Sequence, residues 1–289
     1  MLKNVDKVGG PPRFARATSH ISFMPELPEV EHAMQQLRIA GIGRTIARVR
    51  VLHPALERSL PPSDQQRLAG RRIDNVERKA KLQLITLDDG SVVEVHFRMT
   101  GDWSFGKAVD EPEHSERGRI EFTDGSRVSL IDGRAFAVMK LHPPGELKLP
   151  KLGLEPLSPD FTADALMEAL AKRTIPIKQA LLDQKVVSGL GNIYASEALW
   201  EAKMSPESVS NDLTKKAAET LVNAIRTVLD RAPAGRYYYE GTGDVAEETN
   251  TAWRVYDREG KPCVRCKSPI GRIGQGGRST YFCPKCQKR

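Results

Sequence analysis

The chain has 289 residues, 39% hydrophobic and 28% charged, an ordinary balance for a globular protein and enough length for two domains with a sizeable core. No apolar run approaches the roughly 18 residues a membrane-spanning helix needs, which excludes such a helix. The formal net charge of +7 is unevenly placed, because residues 258–289 hold nine Lys or Arg against the single acid Glu259, a formal +8 that leaves −1 for the preceding 257 residues. A basic segment of this density suits a polyanionic partner, although a solvated tail would have the same composition.

Residues 1–23 mix Gly9-Gly10-Pro11-Pro12 with scattered basic and polar residues and show no periodicity. They are expected to be a disordered extension, or to lie ahead of a mis-assigned start at Met24. The next stretch, Met24-Pro25-Glu26-Leu27-Pro28-Glu29-Val30-Glu31, has two readings. Its prolines and acids suit a helix entrance. If Met24 is the initiator and is removed, Pro25 instead carries a free secondary amine. At pH 7 roughly one terminal amine in seven is unprotonated, against about one lysine in 2,500. Such an amine attacks a carbonyl-like or acetal carbon to give an iminium, with Glu26 beside it as general acid or base.

Apolar residues at Val30, Ala33, Met34 and Leu37 predict one amphipathic helix, closed by Gly41 and Gly43. Strand-like runs follow at 44–52, 79–87, 92–99, 119–123, 127–131 and 137–141, with hairpin turns at Asp88-Asp89-Gly90 and Asp124-Gly125. Residues 24–142 therefore read as a β-sandwich with a flanking helix, and 110–118 as an exposed loop. Five prolines between Pro143 and Pro159 mark 143–161 as a linker. Helical spacing then recurs at 164–171, 177–184, 193–202 and 214–229, giving a helical domain over 162–235. Residues 236–256 read as a long loop able to close over a bound group, and 257–289 as a small terminal module.

That module holds Cys263-x2-Cys266 and Cys283-x2-Cys286, all four cysteines of the chain. The spacing fits one tetrahedral, structural Zn2+, with two disulfides as the alternative. Ser188-Gly189-Leu190-Gly191-Asn192 suits a turn between helices, with Asn192 as N-cap of the next one. Its amides also suit a phosphate, with Lys172, Arg173 and Lys178 nearby to add contacts. Lys81 falls within Arg78-Lys79-Ala80-Lys81 at the start of an otherwise apolar strand, where a surface lysine is the ordinary reading. Met99, Arg134 and Phe136 fall where strands end, and suit either packing or insertion into a base stack.

Taken together, Pro25-Glu26-Leu27-Pro28-Glu29-Val30-Glu31, Gly191-Asn192-Ile193-Tyr194-Ala195-Ser196-Glu197 and Arg278-Ser279-Thr280-Tyr281-Phe282-Cys283 resemble the formamidopyrimidine-DNA glycosylase family, over residues 24–289. The resemblance implies an α+β multidomain fold, with an N-terminal β-sandwich, a helix-two-turn-helix domain and a four-cysteine zinc finger. It implies a monomer that binds double-stranded DNA containing a damaged base, in the cytoplasm and away from membranes. The activity implied is that of a DNA glycosylase and abasic-site lyase acting on oxidised purines through a Schiff base on Pro25. Pro25, Glu26, Lys81 and Arg278 match catalytic positions. Met99, His114, Arg134, Phe136, Arg173, Lys178 and Asn192 match DNA-contacting ones, His114 by the loosest alignment.

Gly133-Arg134-Ala135-Phe136 departs from the family's Pro-Arg-Arg-Phe, and Tyr237–Thr251 departs from its lesion-capping loop. Two alternatives follow. One is an activity on oxidised pyrimidines like that of endonuclease VIII, which Leu27 argues against. The other is a damaged-DNA-binding protein without catalysis, should residues 1–23 stay attached to Pro25.

Overall fold

A computed structural model describes residues 24–232 and 253–288. The expected disorder of 1–23 and the loop 236–252 lie outside these residues. Helix α1 (Leu27–Gly41) starts three residues ahead of Val30, the first of its expected apolar positions. Pro28 sits in its first turn, where no N–H is needed, and the Glu26 N–H donates to the Glu29 carboxylate at 2.9 Å. Its stripe of Val30, Ala33, Met34 and Leu37 is buried against the sandwich.

The sandwich has two four-stranded antiparallel sheets. The strands are β1 (Ile46–Val51), β2 (Ile73–Lys79), β3 (Leu82–Leu87), β4 (Val92–His96), β5 (Gly101–Lys107), β6 (Glu116–Phe122), β7 (Ser126–Asp132) and β8 (Val138–His142). One sheet runs β1-β6-β7-β5 and the other β2-β3-β4-β8. Between them Ile46, Val76, Ile85, Val95, Trp103, Ile120, Leu130 and Met139 form one core. The Trp103 indole N–H reaches across it to the Gln83 side-chain oxygen Oε1 at 2.7 Å, so the one polar atom of that ring is paired. Both expected hairpin turns join antiparallel neighbours, β3 to β4 and β6 to β7.

Several elements differ from expectation, each for a local reason. In β2 the buried residues are Ile73 and Val76, three apart, because a register shift between Ile73 and Asn75 inserts a residue into the ladder. That bulge erases the two-residue alternation by which a strand is recognised. Strand β5 opens at Gly101, where a Cβ would lie 2.7 Å from the Phe97 backbone, so only glycine fits. Two short helices, α2 (Pro54–Glu57) and α3 (Pro62–Leu68), pack against β1 and are too short for a helical period to show. The loop expected at 110–118 ends early. Glu116 begins β6, and its buried carboxylate receives two N–H bonds from the buried Arg119, at 2.6 and 2.8 Å. Lys81 does not start a strand. It sits in the turn between β2 and β3, after Ala80 with φ +54°.

The second half of the proline-rich stretch is not a free linker. Leu154 bridges to Val187 as a parallel strand pair, and Phe161 is fully buried in the helical core. That core is built on α4 (Ala163–Leu170), α5 (Ile177–Leu182), α6 (Asn192–Glu201) and α7 (Lys215–Asp230). Gly191 rather than Asn192 is the N-cap of α6, so Asn192 is its first helical residue.

Strands β9 (Gly271–Gln275) and β10 (Arg278–Phe282) form the terminal hairpin, which packs on α6. The Arg265 guanidinium stacks 3.5 Å over the Trp200 ring and donates to the Trp200 carbonyl. The buried Glu197 carboxylate accepts the backbone N–H groups of Arg254, Val255 and Tyr256 at 2.8–2.9 Å, fastening the chain that enters the hairpin to α6. No helix among the described residues is long and apolar enough to cross a membrane.

Candidate active site and DNA interface

The first residues of the sandwich domain meet the helical domain at the start of α6. Leu27 N–H donates to the Gly189 carbonyl at 3.0 Å, which draws the segment from Met24 onto the turn before α6. Pro25 and Glu26 are buried there. One Glu26 carboxylate oxygen accepts the Ile193 N–H at 3.0 Å and the other the Tyr194 N–H at 3.2 Å. These are first-turn amides of α6 without helical partners, and the positive end of the helix favours an anion. Gly191 makes the approach possible, since a Cβ there would lie 2.2 Å from the Glu26 carboxyl carbon.

The electrostatics of this centre are opposed. Burial raises the Glu26 pKa above the usual carboxylate value, against the charge of Lys81, the two amides and the charge of Lys178. Burial lowers Lys81, with Glu26 opposing the shift and Arg278 adding to it. Lys178 falls to about 8 through burial, again with Glu26 opposing and Arg278 adding. Glu29 rises to about 7 through burial, although the Tyr194 hydroxyl donates to it at 2.5 Å. Carboxyl groups raised and amines lowered toward neutrality are what proton transfer near pH 7 needs.

Lys81 is presented by a braced turn. Arg78 donates to the Ala80 carbonyl at 2.9 Å, and its other nitrogens pair with Glu31 of α1 at 2.7 Å and Glu155 at 2.8 Å. Glu155 also accepts the Ser188 hydroxyl at 3.3 Å, so one guanidinium links sandwich, first helix and helical domain.

Lys178, expected to add a phosphate contact, is buried between α5, α6 and β10. Its fully buried ammonium donates to the Asn192 side-chain oxygen at 2.6 Å and to the Thr280 hydroxyl at 2.9 Å. The Asn192 amide nitrogen donates to the Ser279 carbonyl at 3.0 Å. Lys178 and Asn192 thus lock α5 and α6 to β10, whose first residue is the exposed Arg278. Arg173 is half-buried and paired with Asp183 at 2.8 Å. Met99 is half-exposed after β4, and Arg134 and Phe136 are exposed after β7, with the guanidinium 5.0 Å over the phenyl ring. His114 is exposed on the β5–β6 connection and takes part in none of these contacts.

His96 is a site neighbour that sequence reading passed over. Burial and the charges of Arg98 and Lys81 lower it to about 4, so the ring is neutral at pH 7. Its Nδ1 accepts the Arg98 N–H at 2.9 Å, which leaves the ring proton on Nε2. Its place beside Phe97 at the end of the strand-like run, directly before the loop that carries Met99, was the available signal.

The four cysteine sulfurs all lie within 4.8 Å of one another, with Cys266 to Cys283 at 3.4 Å and Cys263 to Cys286 at 4.0 Å. These distances bracket the about 3.8 Å edge of a tetrahedron with Zn–S bonds of about 2.3 Å. The four thiols hold one structural Zn2+. With every position taken by sulfur, the ion has no place for substrate.

Three family models match this arrangement: the formamidopyrimidine-DNA glycosylase N-terminal domain over residues 24–139, the H2TH domain of the same enzymes over 152–237, and the zinc finger found in FPG and IleRS over 260–289. Proteins named formamidopyrimidine-DNA glycosylase from Rhizorhabdus wittichii and Chloroflexus aggregans are 41% and 42% identical. They are covered over 100% and 98% of their lengths by 92% and 91% of this chain. A Lactococcus lactis FPG mutant in complex with a Fapy-dG containing DNA superposes with a TM-score of 0.81 at 31% identity, covering 92% of this chain and 100% of that one. A MutM in complex with carbocyclic 8-oxo-G containing DNA gives the same TM-score at 29% identity, with the same coverage. Fold and site define a zinc-finger protein of the helix-two-turn-helix class. The chain belongs to the formamidopyrimidine-DNA glycosylase family.

Proposed function

We propose that this protein is a DNA glycosylase and abasic-site lyase of base-excision repair, acting on oxidised purines such as formamidopyrimidines and 8-oxoguanine in double-stranded DNA. The observation that carries the reading is the Glu26 carboxyl group, buried on two α6 amides one residue after Pro25. A buried acid of raised pKa next to a potential secondary amine is the pairing that imine chemistry on a sugar requires.

The damaged nucleotide turns out of the duplex, at the few kcal/mol that unstacking costs. The Pro25 nitrogen bonds to C1′ and the C1′–base bond breaks. Glu26 supplies a proton to the ring oxygen, the sugar opens and an iminium joins Pro25 to C1′. The iminium acidifies the adjacent C–H, so the 3′ and then the 5′ phosphate leave by successive eliminations. Lys81 and Lys178 stabilise the carboxylate that Glu26 becomes when it gives up its proton. Arg278 grips a flanking phosphate from the start of β10, and Asn192 and Lys178 hold that strand in place. Arg173 reaches a phosphate by exchanging Asp183 for it. Met99, Arg134 and Phe136 fill the vacated stack, with Arg134 toward the orphaned base.

The Pro25 nitrogen is nucleophilic only as a free amine. The family model begins at residue 24, so the mature form proposed here begins at Pro25. It acts as a monomer on DNA in the cytoplasm.

Borohydride reduction on a duplex carrying one formamidopyrimidine tests the reading. The form beginning at Pro25 is expected to give a covalent adduct mapped to that residue, and the 289-residue form none. Absence of an adduct from both would leave a damage-binding protein without catalysis. Faster release of thymine glycol than of either purine lesion would move the substrate to oxidised pyrimidines.

A further inference from the structure

Met99 and the pair Arg134 and Phe136 stand on two separate loops, one after β4 and one after β7. Each loop turns on a non-glycine residue in the left-handed region, Arg98 at φ +58° and Ala135 at φ +56°, directly before Met99 and Phe136. Side chains disfavour that backbone, and it persists only where surrounding bonds over-determine it. The Arg98 N–H is held by His96 Nδ1, while the bonds of the second loop, joined by the Thr100 hydroxyl from the first, converge on Asp132, the fully buried last residue of β7. One of its carboxylate oxygens accepts the Thr100 hydroxyl and, at 3.0 Å, the Arg134 N–H. The other accepts the N–H groups of Phe136 at 2.6 Å and Ala137 at 2.7 Å. Thr100 follows Met99 directly, and its hydroxyl oxygen receives the Arg134 N–H at 3.3 Å.

We propose that the Thr100–Asp132 hydrogen bond couples the two loops so that Met99 and the Arg134–Phe136 pair enter the base stack as one rigid unit. Thr100 and Asp132 are then positioning residues for base extrusion. The inference rests on the glycosylase reading above. Its physical basis is that unstacking is compensated only when the whole gap is filled, and that a pre-joined pair of wedges loses less freedom on insertion than two independent ones. The bond to Asp132 is charge-assisted and largely shielded from water, which makes it one of the stronger links available between two loops.

Thr100→Val keeps the side-chain shape and removes the hydroxyl, while Asp132 keeps its three backbone donors, so the Arg134–Phe136 loop retains its fold. The test compares wild type, T100V and T100S, all beginning at Pro25, in two single-turnover reactions: release of a formamidopyrimidine from duplex DNA, and strand cleavage at a preformed abasic site in a single-stranded oligomer. T100V is expected to release the base about 10-fold more slowly, in keeping with the loss of one such bond. Cleavage of the single strand, which has no stack to enter, should stay within about twofold, and T100S should restore release from the duplex. A T100V that matches wild type on the duplex overturns the coupling, as does one that slows both reactions equally. A wild type that neither releases a base nor cleaves an abasic strand sinks the glycosylase reading and this inference with it.

Discussion

Gly191→Ala is the substitution that most directly probes the centre. Its new Cβ would lie 2.2 Å from the Glu26 carboxyl carbon, 2.4 Å from one carboxylate oxygen and 2.7 Å from Cγ, so the Glu26 side chain has to move. Overpacking of this kind costs about 1–3 kcal/mol. Displacing the carboxylate also strips the Ile193 and Tyr194 amides of their acceptor, and each buried N–H left unpaired costs about 1–3 kcal/mol. If the neighbours relax part of the way, the net loss of stability is about 2–4 kcal/mol. At about 2–4 °C per kcal/mol, thermal melting should fall by roughly 4–16 °C. Proton transfer by a positioned carboxyl contributes about 10²–10⁴ in rate, so ring opening, read as strand cleavage under single-turnover conditions, should slow by at least about 10² even at temperatures where the variant stays folded. Calorimetry with a single-turnover assay measures both. A G191A protein with unchanged melting and unchanged strand cleavage would refute the placement of Glu26 on the α6 amides.

Glu29 makes stability depend on pH. Its folded pKa of about 7 lies above its ordinary 4.5, so between these values the folded state holds a proton that the unfolded state has lost, and stability falls as pH rises through the window. Its share of the slope is at most about 1.4 kcal/mol per pH unit, and denaturant titrations of Glu29→Gln should show a slope shallower than wild type by that share. Removing Zn2+ with a chelator should unfold the β9–β10 hairpin and weaken DNA binding while most of the far-UV circular dichroism remains, because the four thiols close a small separate module. Glu197→Ala orphans three backbone N–H groups at the hairpin's root and should cost about 3 kcal/mol or more of local stability, read as faster proteolysis near Tyr256. DNA affinity should fall steeply with added salt, since the finger's grip is on phosphates, and a flat profile would contradict that grip.

How much of this was legible in the sequence depended on whether a feature has a local signature. The zinc site did, because four cysteines in two short pairs admit few other uses. So did the helix entrance at Pro25 and Glu26, whose proline and acid positions are neighbours along the chain. Strands with clean alternation and tight turns were readable, whereas β2 was hidden by its bulge and β5 by polar and glycine residues that pack only in the presence of Gln83 and Phe97. The burial of Lys178 was not readable, since a lysine on a short helix looks solvent-facing until Thr280, 102 residues later, closes over it. Asp132 has no local signature, since its four donors come together only once the two loops stand side by side.

The partners of Glu26 are scattered along the chain in a way that bears on the order of synthesis. Pro25 and Glu26 are among the first residues made, yet the amides that hold the carboxylate come from Ile193 and Tyr194, and the hydroxyl that steadies Lys178 comes from Thr280. As the chain leaves the ribosome, the sandwich can fold before the amides that hold the Glu26 carboxylate exist. The buried network around Lys178 is complete only once Thr280 has been made, so the two ends of the chain must meet before this centre has all its contacts.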